Sequence, residues 1–368
     1  MKVALIVPGG VDRSGVDRVI PCLLWFIERL ARRHEVHVFA TRQETLAGDW
    51  PLLGSTVHNI GMGRGTTRRL LARFASEHHI APFDVVHAFF GMCGTYAATI
   101  GWRYSVPVVF HAAGGEFVSM SASDYGIRRS ALGRLAMGVA VSSADRVTVA
   151  SQAMRSLAAG HKVDAQQVEL GVALDSWPPA TPRARNTERP ARLLHVGDIR
   201  PVKDQHMLMA AAARLHDRGI SFELDMVGLD TMNGAMQRSA TAERVAGRTR
   251  YHGVLHRAEL RALMDGADLL LVSSRHEAGP LVVLEAAVAG VPTVGTAVGH
   301  IADWAPTAAV AVSVGDDEAL ANAVAALLAD DDRRLAIAHE AQRRALAIDA
   351  NYTASRFEAI YHELAANR

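Results

Sequence analysis

Cysteine is nearly absent: Cys22 and Cys93 are the only two in 368 residues. That excludes a disulfide framework and leaves reduced thiols of a cytoplasmic protein as the natural reading. No apolar run approaches the length of a membrane-spanning helix. The opening run Met1–Pro8 is too short for a secretory leader, and Gly9-Gly10 ends it, so it reads as a buried first strand. Charge of either sign is not in excess: 39 Lys/Arg stand against 38 Asp/Glu, which removes any general electrostatic case for nucleic acid. No Gly-x-Ser-x-Gly elbow is present, which argues against a serine hydrolase. No His/Cys run has metal-ligand spacing, so no metal is expected. The acidic run Asp330-Asp331-Asp332 lies between two late helical patterns and reads as a helix cap.

What is present is alternation. The length exceeds the comfortable size of one hydrophobic core, so two domains are expected. Short apolar strands are expected at 3–7, 36–40, 84–87, 106–110 and 146–149, and again at 192–196, 222–227, 269–272, 293–295 and 309–312. Helical periodicity fills the gaps, as from Asp17 to Arg33 with Val19, Ile20, Leu23, Leu24, Ile27 and Leu30 on one face. Strands alternating with helices imply α/β architecture with doubly wound parallel sheets. Four prolines among polar residues between Pro178 and Pro190 mark a linker. The expected domains are therefore 1–178 and 191–350 around a linker at 179–190. Both are Rossmann-like and face one another across a cleft. A last helix runs from about 351 to 368, with Asn351 as its N-cap.

The most informative segment runs from Ser273 to Ala287. It follows a strand, turns at Gly279-Pro280 and opens a helix at Leu281. The first amides of that helix, at Leu281 and Val282, and the positive end of its dipole suit a diphosphate. Glu277 before the turn and Glu285 inside the helix place a carboxylate on each side of the anion site, able to accept sugar and ribose hydroxyls. Two solvated glutamates flanking a helix start are the plainer alternative. A second segment, His195-Val196-Gly197-Asp198-Ile199-Arg200-Pro201-Val202-Lys203, passes from a strand through a glycine turn to a helix start near Lys203.

Together these segments resemble the retaining GT-B glycosyltransferases of family 4, also called glycosyl transferases group 1. Their signature is two glutamates separated by seven residues, followed by Glu-Ala and a Gly-Val-Pro turn. The chain reads Glu277, Glu285-Ala286, then Gly290-Val291-Pro292. The resemblance implies that Glu277 contacts the transferred sugar, that Glu285 contacts ribose, and that Lys203 meets the diphosphate in place of a metal. An arginine that relatives carry after the glycine is Asp198 here, with Arg200 a candidate to supply the missing guanidinium. Gly228 and Val254, the latter after His252-Gly253, match loops that meet the nucleotide. Gly9 and Gly10 match the loop facing donor phosphate and acceptor. His111 is implied near the transferred sugar and Glu116 near the acceptor, while His87 reads as structural. The last helix is implied to pack back on the N-terminal domain.

The expected activity is transfer from a nucleoside-diphosphate sugar, UDP- before GDP-linked, to a hydroxyl acceptor with retention. The product would enter a polysaccharide, a glycolipid or a glycosylated metabolite. Another GT-B activity, such as nucleotide-sugar epimerisation, and a catalytically silent donor-binding subunit are the alternatives. No cofactor or metal is expected. The basic amphipathic stretch Arg64–Phe74 leaves peripheral membrane contact open, against a solvated helix face.

Overall fold

The computed structural model describes residues 1–367 and divides into two compact units, one made of Met1–Ala173 with the chain from Ile348 onward, the other of Leu174–Ala347. The first unit contains β1 (Lys2–Val7), α1 (Pro21–Ala31), β2 (Glu35–Ala40), β3 (Gly48–Leu52), β4 (Ser55–Asn59), α2 (Thr66–Ile80) and β5 (Val85–Phe89). It continues with α3 (Gly91–Tyr104), β6 (Val108–Ala112), α4 (Ala131–Ser142), β7 (Arg146–Val149), α5 (Gln152–Gly160) and β8 (Gln166–Gln167). Its eight strands lie in the order β3-β4-β2-β1-β5-β6-β7-β8, parallel except for the β3–β4 pair. All six residues of β1 are buried, as a central strand covered on both faces requires.

The helix expected from Asp17 begins only at Pro21. Pro21 occupies the first turn, where its missing N–H costs nothing, and the Ile20 amide is held by Gly10 O at 3.0 Å. The unit is completed by the chain's last helix, Ala350–Ala366, which packs on α1 and buries Phe357, Ile360 and Tyr361. Phe357 meets Phe26 edge-on at 5.2 Å between centroids, and each such ring contributes about 1.5–3 kcal/mol on burial. The cap of this helix is Asp349, not Asn351: Asp349 Oδ1 accepts the Tyr352 amide at 2.8 Å, and Asn351 itself donates to Asp349. The expected extension to Arg368 lies outside the described residues.

The second unit contains β9 (Ala191–Val196), α6 (Gln205–Asp217), β10 (Phe222–Val227), α7 (Ala240–Val245), β11 (Thr249–Gly253), α8 (Arg257–Gly266) and β12 (Leu269–Val272). It ends with α9 (Leu281–Val288), β13 (Thr293–Thr296), α10 (Gly299–Trp304), β14 (Val310–Val312), α11 (Asp317–Ala329) and α12 (Asp331–Ala347). The last helix of the chain is then α13. The sheet order β11-β10-β9-β12-β13-β14 is parallel throughout.

The proline-rich stretch expected as a linker is instead built into the second unit, and the division falls at Ala173/Leu174. Arg183 and Arg189 both reach the fully buried Asp268, and Gln342 donates to Ala180 O at 2.7 Å. These contacts, made with residues remote in sequence, are what composition cannot reveal. Among the described residues no helix is long and apolar enough to cross a membrane.

In each sheet the strand order reverses once, between β1 and β5 and between β9 and β12. The carboxyl ends of strands at such a switch point are where open α/β sheets bind ligands.

Candidate functional site

At the second unit's switch point, β9 runs into the loop 197–204 and β12 into the loop 273–280. Lys203 lies in a single 3-10 turn, Pro201–Lys203, and α6 begins only at Gln205. Its ammonium is 2.5 Å from Glu277 Oε1, which also accepts the Ser274 hydroxyl at 2.6 Å. Backbone and side-chain contacts hold the two loops in register. Ser273 Oγ donates to Lys203 O at 2.8 Å, the Arg275 amide donates to Val202 O at 2.8 Å, and Arg275 pairs with Asp204 at 2.7 Å. Beneath them His195 contacts Leu271 O through Nδ1 at 2.9 Å and Gln205 through Nε2 at 3.2 Å. Burial drops its pKa to about 4, so it is a neutral strut.

Helix α9 starts beside this ion pair with no side-chain cap, Pro280 standing at the N-cap position. The Val283 amide is taken by Pro280 O, whereas Leu281 and Val282 are half-exposed at the helix start. Uncapped first-turn amides are an anion site. The Gly279-Pro280 turn is fixed from behind by Gly299, where a Cβ would lie 2.8 Å from Pro280. Glu285, one turn into α9, is 7% exposed, and its carboxylate has no hydrogen-bond donor among the described residues. Burial pushes its pKa up to about 7 against the opposing charge of Arg257. An acid held this way is set to receive hydroxyl donors.

Next to the Lys203 loop a small cavity of about 160 Å³ is lined by Gly197, Val227, Gly228, Tyr251 and Gly253. Gly228 sits at φ +143 with its Cα against Gly197 O, which a Cβ would approach to 2.3 Å, so only glycine fits. Val254 is 71% exposed and does not line this cavity. Asp198 accepts the Leu229 amide at 3.1 Å and so ties two site loops together. Arg200 is exposed, and its guanidinium has no hydrogen bond or ion pair among the described residues.

The first unit has its own cavity at the β1/β5 switch point, about 350 Å³, lined among others by Pro8, Arg42, Phe90, Tyr96, Glu116 and Tyr125. Glu116 is buried and acts as a loop clip, accepting the Gly91 amide at 2.9 Å and the Gly114 amide at 2.7 Å. Gly9 and Gly10 are not part of the lining, and the Gly10 amide is already spent on Gln43 Oε1 at 2.7 Å.

His111 departs furthest from expectation. It is fully buried in β6, its Nδ1 on Thr148 Oγ1 at 2.9 Å and its ring against Phe89 and Phe357. Burial drops its pKa to about 3. The strand runs on to Ala112, so His111 is an interior residue and does not reach the cavity. The sequence signal missed the positioning set Ser273, Ser274, Arg275 and Gly299. The first two hydroxyls are the only hint, standing just before Glu277.

The fold is GT-B. Solved structures with this architecture include sucrose-phosphate synthase from Thermosynechococcus elongatus, at TM-score 0.80 and 18% identity over 100% of both chains. Anabaena HepE in complex with UDP and glucose has TM-score 0.74 and 17% identity, covering 99% of this chain and 100% of that one. Among curated sequences, a glycogen synthase of Mycobacterium tuberculosis is 34% identical over 165 residues, 44% of this chain. That match spans only 39% of the relative's own length. A D-inositol 3-phosphate glycosyltransferase of Geodermatophilus obscurus is 29% identical over 339 residues, 80% of this chain and 72% of the relative. The family model described as glycosyl transferases group 1 matches residues 181–344, and that described as glycosyl transferase 4-like domain matches 19–171. The chain belongs to the family 4 GT-B glycosyltransferases, group 1.

Proposed function

We propose that the chain moves a sugar from a nucleoside-diphosphate sugar, UDP-linked before GDP-linked, to a hydroxyl acceptor with retention of anomeric configuration. The carrying observation is the Lys203–Glu277 pair, 2.5 Å apart beside the uncapped start of α9. A diphosphate at that helix start would draw the Lys203 ammonium from Glu277, and the ammonium would then neutralise the leaving group. No metal is assigned to this chemistry. Glu277 keeps Oε2 for a sugar hydroxyl while Oε1 stays oriented by Ser274. Glu285 accepts the ribose hydroxyls. The UDP preference is supported by HepE, solved with UDP and glucose. Retention is supported by family 4 membership, with the departing phosphate receiving the acceptor proton on the leaving-group face.

We assign the acceptor to the first unit's cavity, with Tyr96, Tyr125 and Arg42 rather than His111 as its polar contacts. Polysaccharide, glycolipid or glycosylated-metabolite synthesis on the cytoplasmic side is the setting this reading implies. The test is nucleoside diphosphate release from a panel of UDP- and GDP-sugars, with and without acceptors, and the anomeric configuration of the product by NMR. A donor at a hundred times its dissociation constant should stabilise the fold by about 2.7 kcal/mol. If no nucleotide sugar shifts the melting temperature, the reading fails. If one binds and is never turned over, the chain is a silent subunit.

A further inference from the structure

We propose that His37, His58 and Glu77 form a binding site for a divalent transition-metal ion of the zinc class at the outer edge of the first unit's sheet. His37 comes from β2, His58 from β4 and Glu77 from α2, and one donor atom from each lies within 4.8 Å of the others. His37 Nδ1 is 2.9 Å from His58 Nε2 and 3.7 Å from Glu77 Oε2. Ligands of a tetrahedral zinc ion, each about 2.0–2.1 Å from the metal, stand roughly 3.3 Å apart. The two His37 separations fall on either side of that spacing, and the third pair lies within 4.8 Å.

The outer partners point the same way. Ligating imidazoles present their other nitrogen to a carboxylate. Here His37 Nε2 meets Glu35 Oε1 at 2.9 Å, and His58 Nδ1 meets Asp49 Oδ1 at 3.1 Å. Arg73 bridges Asp49 at 2.5 Å and Glu77 Oε1 at 3.1 Å, leaving Glu77 Oε2 turned inward. Both imidazoles are buried. Without an ion, Arg73 Nε donates to His58 Nδ1 at 3.1 Å, and His58 Nε2–H bridges to His37. The ion replaces that bridge, turns His58 to the tautomer that donates to Asp49, and displaces Arg73, whose Nε and Nη2 lie 3.1 and 3.0 Å from His58 Nδ1 without an ion. None of the three lines the first unit's cavity, so the site is separate from acceptor binding and would pin α2 to the sheet edge.

The experiment is zinc uptake by the full chain after EDTA dialysis, measured by calorimetry with Zn²⁺ alone, with Co²⁺ as a spectroscopic probe. One equivalent is expected, with a higher melting temperature and tetrahedral d–d bands for Co²⁺. Asp49→Asn should weaken uptake about 10- to 100-fold while melting like the wild type in EDTA. Glu77→Gln should abolish uptake, and the exposed His79→Ala should leave it intact. No uptake overturns the proposal. So does uptake that survives both Asp49→Asn and Glu77→Gln, because the ion then sits elsewhere.

Discussion

Replacing Glu285 by glutamine separates what the fold asks of that side chain from what a ligand would ask. Burial raises its pKa from 4.5 to about 7. The folded chain therefore holds the proton more tightly than the unfolded chain does. Below pH 4.5 both states are protonated and the full benefit is present. Between pH 4.5 and about 7 that benefit is lost, and above about 7 the buried charge costs the fold roughly 3 kcal/mol relative to acid. Glutamine cannot ionise. Without ligand, Glu285→Gln should melt with the wild type near pH 4.5. Near pH 8 it should melt higher by about 6–12 °C, at roughly 2–4 °C per kcal/mol for a unit of this size. Nucleotide binding should move the other way. Losing a charged acceptor costs about 1.5–3 kcal/mol, so UDP affinity should fall about 10- to 150-fold. The assay is thermal melting at both pH values, then UDP titration at the higher. A variant whose melting difference from wild type is the same at both pH values refutes the burial argument. A variant that binds UDP like the wild type refutes the ribose assignment.

Lys203→Ala should lower turnover about 10²- to 10³-fold, read as nucleoside diphosphate release at saturating donor. Gly228→Ala should destabilise by about 3 kcal/mol in chemical denaturation, because its φ of +143 and the contact with Gly197 O leave no room for a methyl group. His195, His300 and His111 have pKa values lowered by burial to about 4, 4 and 3. The unfolded chain takes up these protons first, so stability should fall as pH drops below 6.5, at up to about 1.4 kcal/mol per pH unit for each histidine. Imidazole NMR signals from the three should show no titration between pH 8 and 5.

The buried strands and the Glu277–Glu285 segment were legible because each is written locally: a short apolar run, or a turn between a strand and a helix. Strands such as 222–227 and 269–272 coincide with the expected ones. The β3–β4 hairpin was not legible, since Gly48–Leu52 is short, lies at a sheet edge and carries Gly48, Asp49 and Pro51, all poor strand formers. The histidine at 111 misled because β6 runs to Ala112 instead of ending at 110, which makes position 111 a buried strand interior and not a strand end. Asp198 could be seen as a departure from the family, but its bond to Leu229, 31 positions away, could not. The same holds for Arg183 and Arg189, whose partner Asp268 is remote in sequence.

Because Leu174–Ala347 is one unbroken stretch of chain inside a unit that has already begun, the two units cannot mature in the order in which they start. During synthesis the later-starting unit has all its residues first, while Phe26 and His87 wait for Phe357 and Tyr361 to emerge. A chain stopped after Ala347 should thus yield a sound second unit, and a first unit whose aromatic centre lies open to water.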